Sequence, residues 1–257
     1  MLNLRRFSPA LIWLTLTSFD GGALAEPAAS PKVVFVIVDG IPADVIERVR
    51  TPAIDAIAAA GGYGRATVGG PIGEPGETPT ISAPGYMSLI TGTWANKHNV
   101  YKNYGISPDY TYWNLFRLAR SEKPELQLAI FSTWTDNRTI LLGEGSAEGG
   151  NWRFDTVVDG LEEDETRFPP RPMDGHIADI DDAVSREAAR LIESDGPDLS
   201  WVYLQYTDDV AHKHGDSVEF ERAVIQMDER LCVIWSAVQA RQEAHDEDWL
   251  VIVTPDH

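Results

Sequence analysis

An uninterrupted run of β-branched and aromatic residues at 33–38 constrains the fold of this chain more than any other feature. Its residues are Val-Val-Phe-Val-Ile-Val, and Asp39-Gly40 follows directly. A strand that is apolar on both faces is typical of the middle of a parallel sheet that helices cover on both sides. The run therefore predicts a central strand with Asp39 at its carboxyl end.

Strand and helix patterns alternate along the rest of the chain. Further strands are predicted at 126–131, 199–206 and 248–254, the last as a buried strand because its apolar run is too short for a free helix. Helices are predicted at 51–60, 112–120, 177–193 and 218–240. This order predicts an α/β fold: a doubly wound, mostly parallel central sheet with helices on both faces.

The composition and net charge of the chain limit the kinds of molecule that it can bind. The 257 residues are 43% apolar and 24% charged, which favours one domain over two, and the formal net charge is −19. So acidic a chain would be repelled by nucleic acid polymers and by anionic membranes. A phosphate-bearing substrate would need local positive charge from a metal ion or from a helix N-terminus.

The first 25 residues have the pattern of a secretory signal peptide. A basic start at Arg5-Arg6 is followed by an apolar centre at 11–16 and by the small-x-small site Ala23-Leu24-Ala25. The alternative is a buried N-terminal helix, and the apolar run is too short for stable membrane insertion. We expect a periplasmic or secreted protein whose catalytic domain is 26–257. Its single cysteine, Cys232, cannot form an internal disulfide.

The stretch 138–174 breaks the alternation, because glycine, proline and acidic residues dominate it. A loop that long inside a compact domain either covers a site or is partly disordered, and the sequence leaves both open.

Three predicted strands lead into residues that metals favour. Asp39 follows the first, Asp208 and His212 follow 199–206, and Asp256-His257 follow 248–254. Carboxylate and imidazole groups at the carboxyl ends of parallel strands suit a divalent metal. Solvated surface turns are the alternative in each case. Asp209 and His214 compete with Asp208 and His212 as ligands.

A fourth segment, 78–92, predicts a short helix with Pro84 in its first turn, Gly92 at its end and Ser82 at or near its N-cap. Ser82 either caps this helix only or also serves as a nucleophile, since a helix N-terminus beside a cation favours an alkoxide. Thr80 is the alternative nucleophile.

Together these segments resemble the alkaline phosphatase superfamily, and more narrowly its nucleotide pyrophosphatase/phosphodiesterase branch. The branch pattern P-T-x-T-F-P-N, then T-G, then H-G-I-x-x-N corresponds here to 79–85, 91–92 and 98–103. The resemblance extends over nearly the whole chain after residue 25, and it implies an alkaline phosphatase-like fold.

The resemblance also implies roles for individual residues. One of two divalent metal ions, zinc by preference, would be held by Asp39, Ser82, Asp256 and His257. Asp208 and His212 would hold the second. Ser82 would attack a small-molecule phosphate ester to form a phosphoryl-serine, which water then hydrolyses, and Asn103 would hold a phosphoryl oxygen.

Departures from the pattern affect substrate preference. Ser82 replaces the family's threonine, Gly85 its asparagine and Asn99 its glycine, whereas Tyr86 stands where sulfatases require arginine. The expected activity is hydrolysis of phosphodiester or pyrophosphate bonds, and the alternatives are a phosphomonoesterase or a remnant that only binds metal or phosphate.

In the superfamily the second zinc takes a further histidine, downstream of the residues that match Asp256-His257. We therefore expect this chain to be a C-terminally truncated copy of a longer enzyme, weak or inactive as written. The other histidines that could substitute are His98, His176, His214 and His245. We expect His98 to be structural, and His176 and His245 to be solvated.

Overall fold

Five parallel strands form one sheet in the computed structural model, which describes residues 29–172 and 175–257. The proposed signal peptide lies outside the described residues. In spatial order the strands are β3, β2, β4, β1 and β5. Their bounds are β1 Ser30–Val38, β2 Leu128–Ser132, β3 Thr156–Val158, β4 Leu199–Leu204 and β5 Glu247–Thr254.

Helices fill the connections between these strands. They are α1 Ala43–Arg48, α2 Pro52–Ala60, α3 Ser82–Thr91, α4 Ala95–His98, α5 Leu115–Glu122, α6 Gly175–Ser194, α7 Tyr206–His214 and α8 Val218–Ala244. In the part of the chain that the structure describes, every helix is too short or too polar to cross a bilayer.

The sheet is covered on both faces, because successive side chains of a strand point to opposite sides. Val34, Val36 and Val38 of β1 join an apolar cluster with α6 and α8. Phe35 and Ile37 join a second cluster with α3 and α5 on the other side. This confirms the predicted α/β architecture with helices on both faces.

The predicted strands and helices are present with shifted ends. The helix predicted at 112–120 begins at Leu115, because the Asn114 side chain accepts a hydrogen bond from the Arg117 N–H and caps the helix there. The prediction that 248–254 is a buried strand is wrong, since Leu250 is 55% and Ile252 37% exposed. Among the described residues β5 is one of the two edge strands and pairs with β1 alone.

The stretch 138–174 contains more structure than its composition indicates. A π-helical turn covers Asn137–Leu141, β3 extends the sheet, and a 3₁₀ turn covers Leu161–Glu163. Arg138 joins the two halves of the stretch, since its guanidinium donates to Asp159 and to Glu144. Sequence periodicity missed these elements because each is five residues or shorter.

The central strand should dominate stability. Ile37 is fully buried, so Ile37→Ala should lower the free energy of unfolding by about 2–5 kcal/mol through lost burial and the cavity it leaves. Leu250→Ala on the neighbouring strand is the matched control, with an expected change of about 0.5 kcal/mol because more than half of Leu250 is exposed. Urea unfolding measures both variants, and equal losses would contradict this placement of the core.

Candidate active site

The polar residues predicted to form a site converge because three neighbouring strands end side by side. Strand β1 lies between β4 and β5, with Val38 opposite Leu204 and Ile37 opposite Thr254. Asp39 therefore emerges beside the start of α7 on one side and beside Asp256 on the other.

A cluster of three carboxylates and one imidazole occupies this edge. The His257 Nε2 lies 3.3 Å from Asp39 Oδ1, 3.5 Å from Asp208 Oδ1 and 3.7 Å from Asp256 Oδ2. The Gly40 N–H donates to Asp256 Oδ1 at 3.2 Å, which ties the end of β5 to the end of β1. The structure thus brings Asp39, Asp208, Asp256 and His257 together as the sequence predicted.

The cluster fits a divalent metal ion. Ligand atoms of Asp39, Asp256 and His257 all lie within 4.8 Å of one another. Asp39 Oδ1 and Asp256 Oδ2 are buried and have no hydrogen-bond partner among the described residues. Buried carboxylate oxygens normally have a partner, and two oxygens with one imidazole nitrogen are ligands that zinc accepts. A cation between these atoms would satisfy both oxygens.

Asp208 and His212 form a second pair one turn apart on α7. The His212 Nε2 lies 3.3 Å from Asp208 Oδ2, and the Asp208 side chain is 12% exposed, whereas that of His212 is 75% exposed. Asp208 faces the carboxylate cluster and His212 faces the open cavity. The pair is placed for a second ion, with more solvent access than the first.

Two buried tyrosines that sequence analysis missed hold Asp39 in place. The hydroxyls of Tyr86 and Tyr203 both donate to Asp39 Oδ2, the second at 2.7 Å. Asp39 Oδ1 is left facing His257. Tyr86 follows Ser82 by four residues on α3, so helical periodicity places both side chains on one face. This spacing could have indicated that Tyr86 lies at the site. For Tyr203, inside an apolar strand, the sequence offers no comparable signal.

Two glycines allow backbone segments of the site to approach each other. A Cβ on Gly40, where φ is +66°, would lie 2.7 Å from Asp208 Oδ1. A Cβ on Gly85 would lie 2.5 Å from the carbonyl oxygen of Asp256. Contacts this short exclude a side chain. Gly85, a departure from the family pattern, is therefore the residue that lets α3 pack against the end of β5.

Ser82 is the first residue of α3, and Ile81 is its N-cap. The Ala83 N–H donates to Asn103 Oδ1 at 2.9 Å, so Asn103 lies against the first turn of the helix. With Oδ1 engaged, the amide group of Asn103 remains as a donor. A helix N-terminus with an adjacent amide favours a bound anion.

Ser82 shares one cavity of about 340 Å³ with Asp39 and Asp208 of the cluster, whereas Asp256 and His257 do not line it. Its walls include Asp39, Ser82, Asn103, Asp208 and His212, together with Tyr104, Trp134 and Glu162 further out. Among the described residues that line it, none is lysine or arginine. Thr80, the alternative nucleophile, is exposed and lies outside this lining.

Burial and the charge of Asp39 raise the pKa values of Asp256 and Asp208. Burial, followed by the charge of Asp39, raises the pKa of Asp256 well above its usual range. The same two causes raise the pKa of Asp208 to about 6. Burial opposes protonation of His257, but its close contact with Asp39 and the charges of Asp39 and Asp208 outweigh it and raise its pKa. Such a group of carboxylates favours a positive charge in its midst.

The remaining histidines lie elsewhere. His98 is fully buried, its Nδ1 accepts from the Val100 N–H, its Nε2 contacts Ser88 Oγ, and burial lowers its pKa to about 4. It is structural, as expected. His245 is exposed as expected, whereas His176 is half-buried, its Nδ1 facing the Arg171 N–H. His214 is exposed at the end of α7.

The repulsion at Asp208 predicts a pH-dependent gain of stability in Asp208→Asn. The folded pKa of about 6 exceeds the ordinary 3.8, so Asp208 contributes stability below about pH 4 that is lost as the pH rises through about 6. In a metal-free buffer the free energy of unfolding of the variant should therefore rise relative to that of the wild type between pH 4 and pH 7. Urea unfolding at both values measures this, and a difference that does not grow with pH would contradict it.

Comparison with known proteins places these features in a family. The chain resembles phosphonoacetate hydrolase from Sinorhizobium meliloti 1021, solved with phosphonoformate, with a TM-score of 0.59 and 17% identity over 90% of this chain and 57% of that one. It also resembles murine ectonucleotide pyrophosphatase/phosphodiesterase 5, solved as an inactive variant with AMP, with a TM-score of 0.55 and 16% identity over 88% of this chain and 57% of that one. Similarity at this level shows a shared fold.

No curated protein sequence matches the chain significantly. The chain spans 57% of the length of phosphonoacetate hydrolase and 57% of the length of the murine protein. The family model of type I phosphodiesterases and nucleotide pyrophosphatases matches residues 33–257. Because that match extends over most of the chain, the protein belongs to the type I phosphodiesterase/nucleotide pyrophosphatase family, as its motifs predicted.

Proposed function

We propose that this chain carries the catalytic site of a metal-dependent hydrolase of phosphodiester or pyrophosphate bonds, with Ser82 as nucleophile. The observation that carries the proposal is that Ser82, in the first turn of α3, lines one cavity with Asp39 and Asp208, and that these two carboxylates adjoin His257 and Asp256 in the cluster. A serine with only a local role in its helix would not need to share that cavity with two carboxylates.

Asp39, Asp256 and His257 would hold one divalent ion together with Ser82, and Asp208 and His212 would hold the second. Such ions, when bound, stabilise negative charge on the phosphoryl oxygens and lower the pKa of a serine hydroxyl. No lysine or arginine lines the cavity among the described residues, so without the ions its carboxylates would repel an anionic substrate. The negative charge of the cavity therefore supports metal dependence.

In the proposed reaction, Ser82 Oγ attacks phosphorus from the side opposite the leaving oxygen. The Oγ–P bond forms while the bond from phosphorus to the leaving oxygen breaks, and the electron pair of that bond departs with the alcohol or phosphate. The Ser82 hydroxyl gives up its proton to solvent, and the leaving oxygen takes up a proton in return. Asn103 donates from its amide to a phosphoryl oxygen and so fixes the orientation of the group. Water then attacks the phosphoryl-serine, which releases phosphate or a monoester and restores the Ser82 hydroxyl.

The second candidate function is that of a phosphomonoesterase. Its substrates carry one ester substituent on phosphorus, whereas a phosphodiester carries two. The cavity continues beyond the cluster to Tyr104 and Trp134, so it has room for a second substituent on the phosphoryl group. This observation favours a diester over a monoester.

Removal of the Ser82 hydroxyl should abolish turnover. With zinc supplied, Ser82→Ala should lower kcat/KM for bis(p-nitrophenyl) phosphate by about 10³-fold or more, because the covalent step loses its nucleophile. Ser82→Thr, which restores a hydroxyl, should recover part of the activity. Release of nitrophenol measures both variants.

Thr80→Ala is the matched control and should behave as the wild type, since Thr80 is exposed. Trapping of a phosphorylated peptide that contains Ser82 would support the covalent step. Turnover by the wild type that Ser82→Ala leaves unchanged would refute the proposal.

Chelation should remove both activity and part of the stability. Zinc at a hundred times its Kd should raise the free energy of unfolding by about 2.7 kcal/mol, because the ion binds the folded carboxylate cluster and not the unfolded chain. Unfolding with and without EDTA measures this gain. Magnesium alone is the comparison ion, and an unfolding free energy that zinc does not change would contradict the proposed metal site.

A further inference from the structure

The helix that carries Asp208 and His212 is fixed at its start by a carboxylate from another helix. Asp181, on α6, is 2% exposed. Its Oδ1 accepts from the Gln205 N–H at 3.1 Å, and its Oδ2 accepts from the Tyr206 N–H at 2.9 Å. These are the first amides of α7, whose N-cap residue Gln205 makes no side-chain cap of its own. Asp181 supplies the missing acceptors, although Gln205 and Tyr206 lie 24 and 25 residues away from it in the sequence.

The same carboxylate also reaches the sheet. The Thr133 hydroxyl, just after the end of β2, donates to Asp181 Oδ1 at 2.7 Å. Asp181 thereby joins three separate segments, the end of β2, the start of α7 and the body of α6. A buried carboxylate with three hydrogen bonds of good length has little freedom to move.

A buried cation lies close enough to balance this carboxylate. Burial raises the pKa of Asp181, while the charge of Arg230 and the three hydrogen bonds oppose that rise. Arg230, on α8, is 8% exposed, and its Nη2 donates to the Ala178 carbonyl oxygen of α6 at 2.7 Å. Its Nε and Nη1 have no hydrogen-bond partner among the described residues.

Small movements of α7 would be transmitted to the site. The Thr207 hydroxyl donates to the Asp39 carbonyl oxygen at 2.6 Å, and Asp208 packs against Gly40 so closely that a Cβ there would not fit. Metal ligands must keep their positions within a few tenths of an ångström. The position of α7 therefore determines whether Asp208 and His212 can hold the second ion beside the first.

We propose that Asp181 is a positioning residue that holds α7, and with it Asp208 and His212, in register with Asp39 and His257. The proposal rests on the proposed function for its metal site, but the placement of α7 can be measured without metal.

The chain offers a matched control in Asp228. It is 3% exposed on α8, and its carboxylate accepts from the Ala53 N–H at 3.1 Å and the Ile54 N–H at 2.9 Å. It therefore caps α2 from another helix just as Asp181 caps α7. The residues of α2 lie outside the lining of the cavity. Asp228→Asn thus removes a comparable interaction away from the site.

Asp181→Asn keeps the shape of the side chain but places an N–H₂ group where an acceptor is needed. In the metal-free protein, hydrogen exchange of the amides at 205–214 should accelerate about tenfold or more. Asp228→Asn should accelerate the amides at 51–60 instead. With zinc added, Asp181→Asn alone should raise a zinc Kd by about tenfold or more, measured by titration calorimetry.

Unchanged exchange at 205–214 in Asp181→Asn, or an equal loss of zinc affinity in Asp228→Asn, would overturn the proposal. If Asp181→Asn does not fold, Thr133→Val decides, since it removes one bond to Asp181 and should raise the same Kd about threefold. An unchanged Kd in that variant overturns the proposal as well. If the wild type binds no zinc, the proposed function fails, whereas hydrogen exchange still decides the role of Asp181.

Discussion

Electrostatic repulsion among three carboxylates is the interaction on which the rest of the site depends. Asp39, Asp208 and Asp256 lie at the ends or just beyond three adjacent strands, and they are between nine-tenths and fully buried. Like charges at such distances in a medium of low dielectric constant destabilise the folded state unless a cation lies between them. The fold holds them there because the strands are parallel and neighbouring, so their carboxyl ends cannot separate.

Much of the surrounding structure is explained by the need to fix these groups. Tyr86 and Tyr203 engage one oxygen of Asp39, and the other oxygen is left for a ligand. Gly40 and Gly85 allow α7 and α3 to approach the strand ends. Asp181 fixes the start of α7 from outside the site. Each element restricts a different degree of freedom of the same cluster.

Sequence patterns predicted the parts of this arrangement that local order determines. The apolar run at 33–38 specified a central strand, and the ends of three strands specified where the carboxylates would meet, because a parallel sheet aligns its carboxyl ends. The motif around Ser82 predicted a short helix with that serine at or near its N-cap, and in the structure Ser82 directly follows the N-cap residue Ile81.

Other features depend on contacts between distant segments and left little or no local signal. The exposure of Leu250 and Ile252 depends on which elements cover β5, which an apolar run cannot reveal. In the sequence, Tyr203 is indistinguishable from the other apolar residues of its strand, because only the fold brings Asp39 next to it. Asp181 reads as one of several acidic residues of an amphipathic helix, although its partners lie 24, 25 and 48 residues away. Such roles follow from topology and not from periodicity.

The central claim is that the carboxylate cluster and Ser82 act on one phosphoryl group through bound metal. Anomalous diffraction from crystals soaked with zinc and orthovanadate tests it most directly. The account predicts zinc at about 2.0–2.2 Å from ligand atoms of Asp39, Asp256 and His257, with vanadium bonded to Ser82 Oγ beside it. Zinc bound elsewhere, or vanadate bound away from Ser82, would contradict the account.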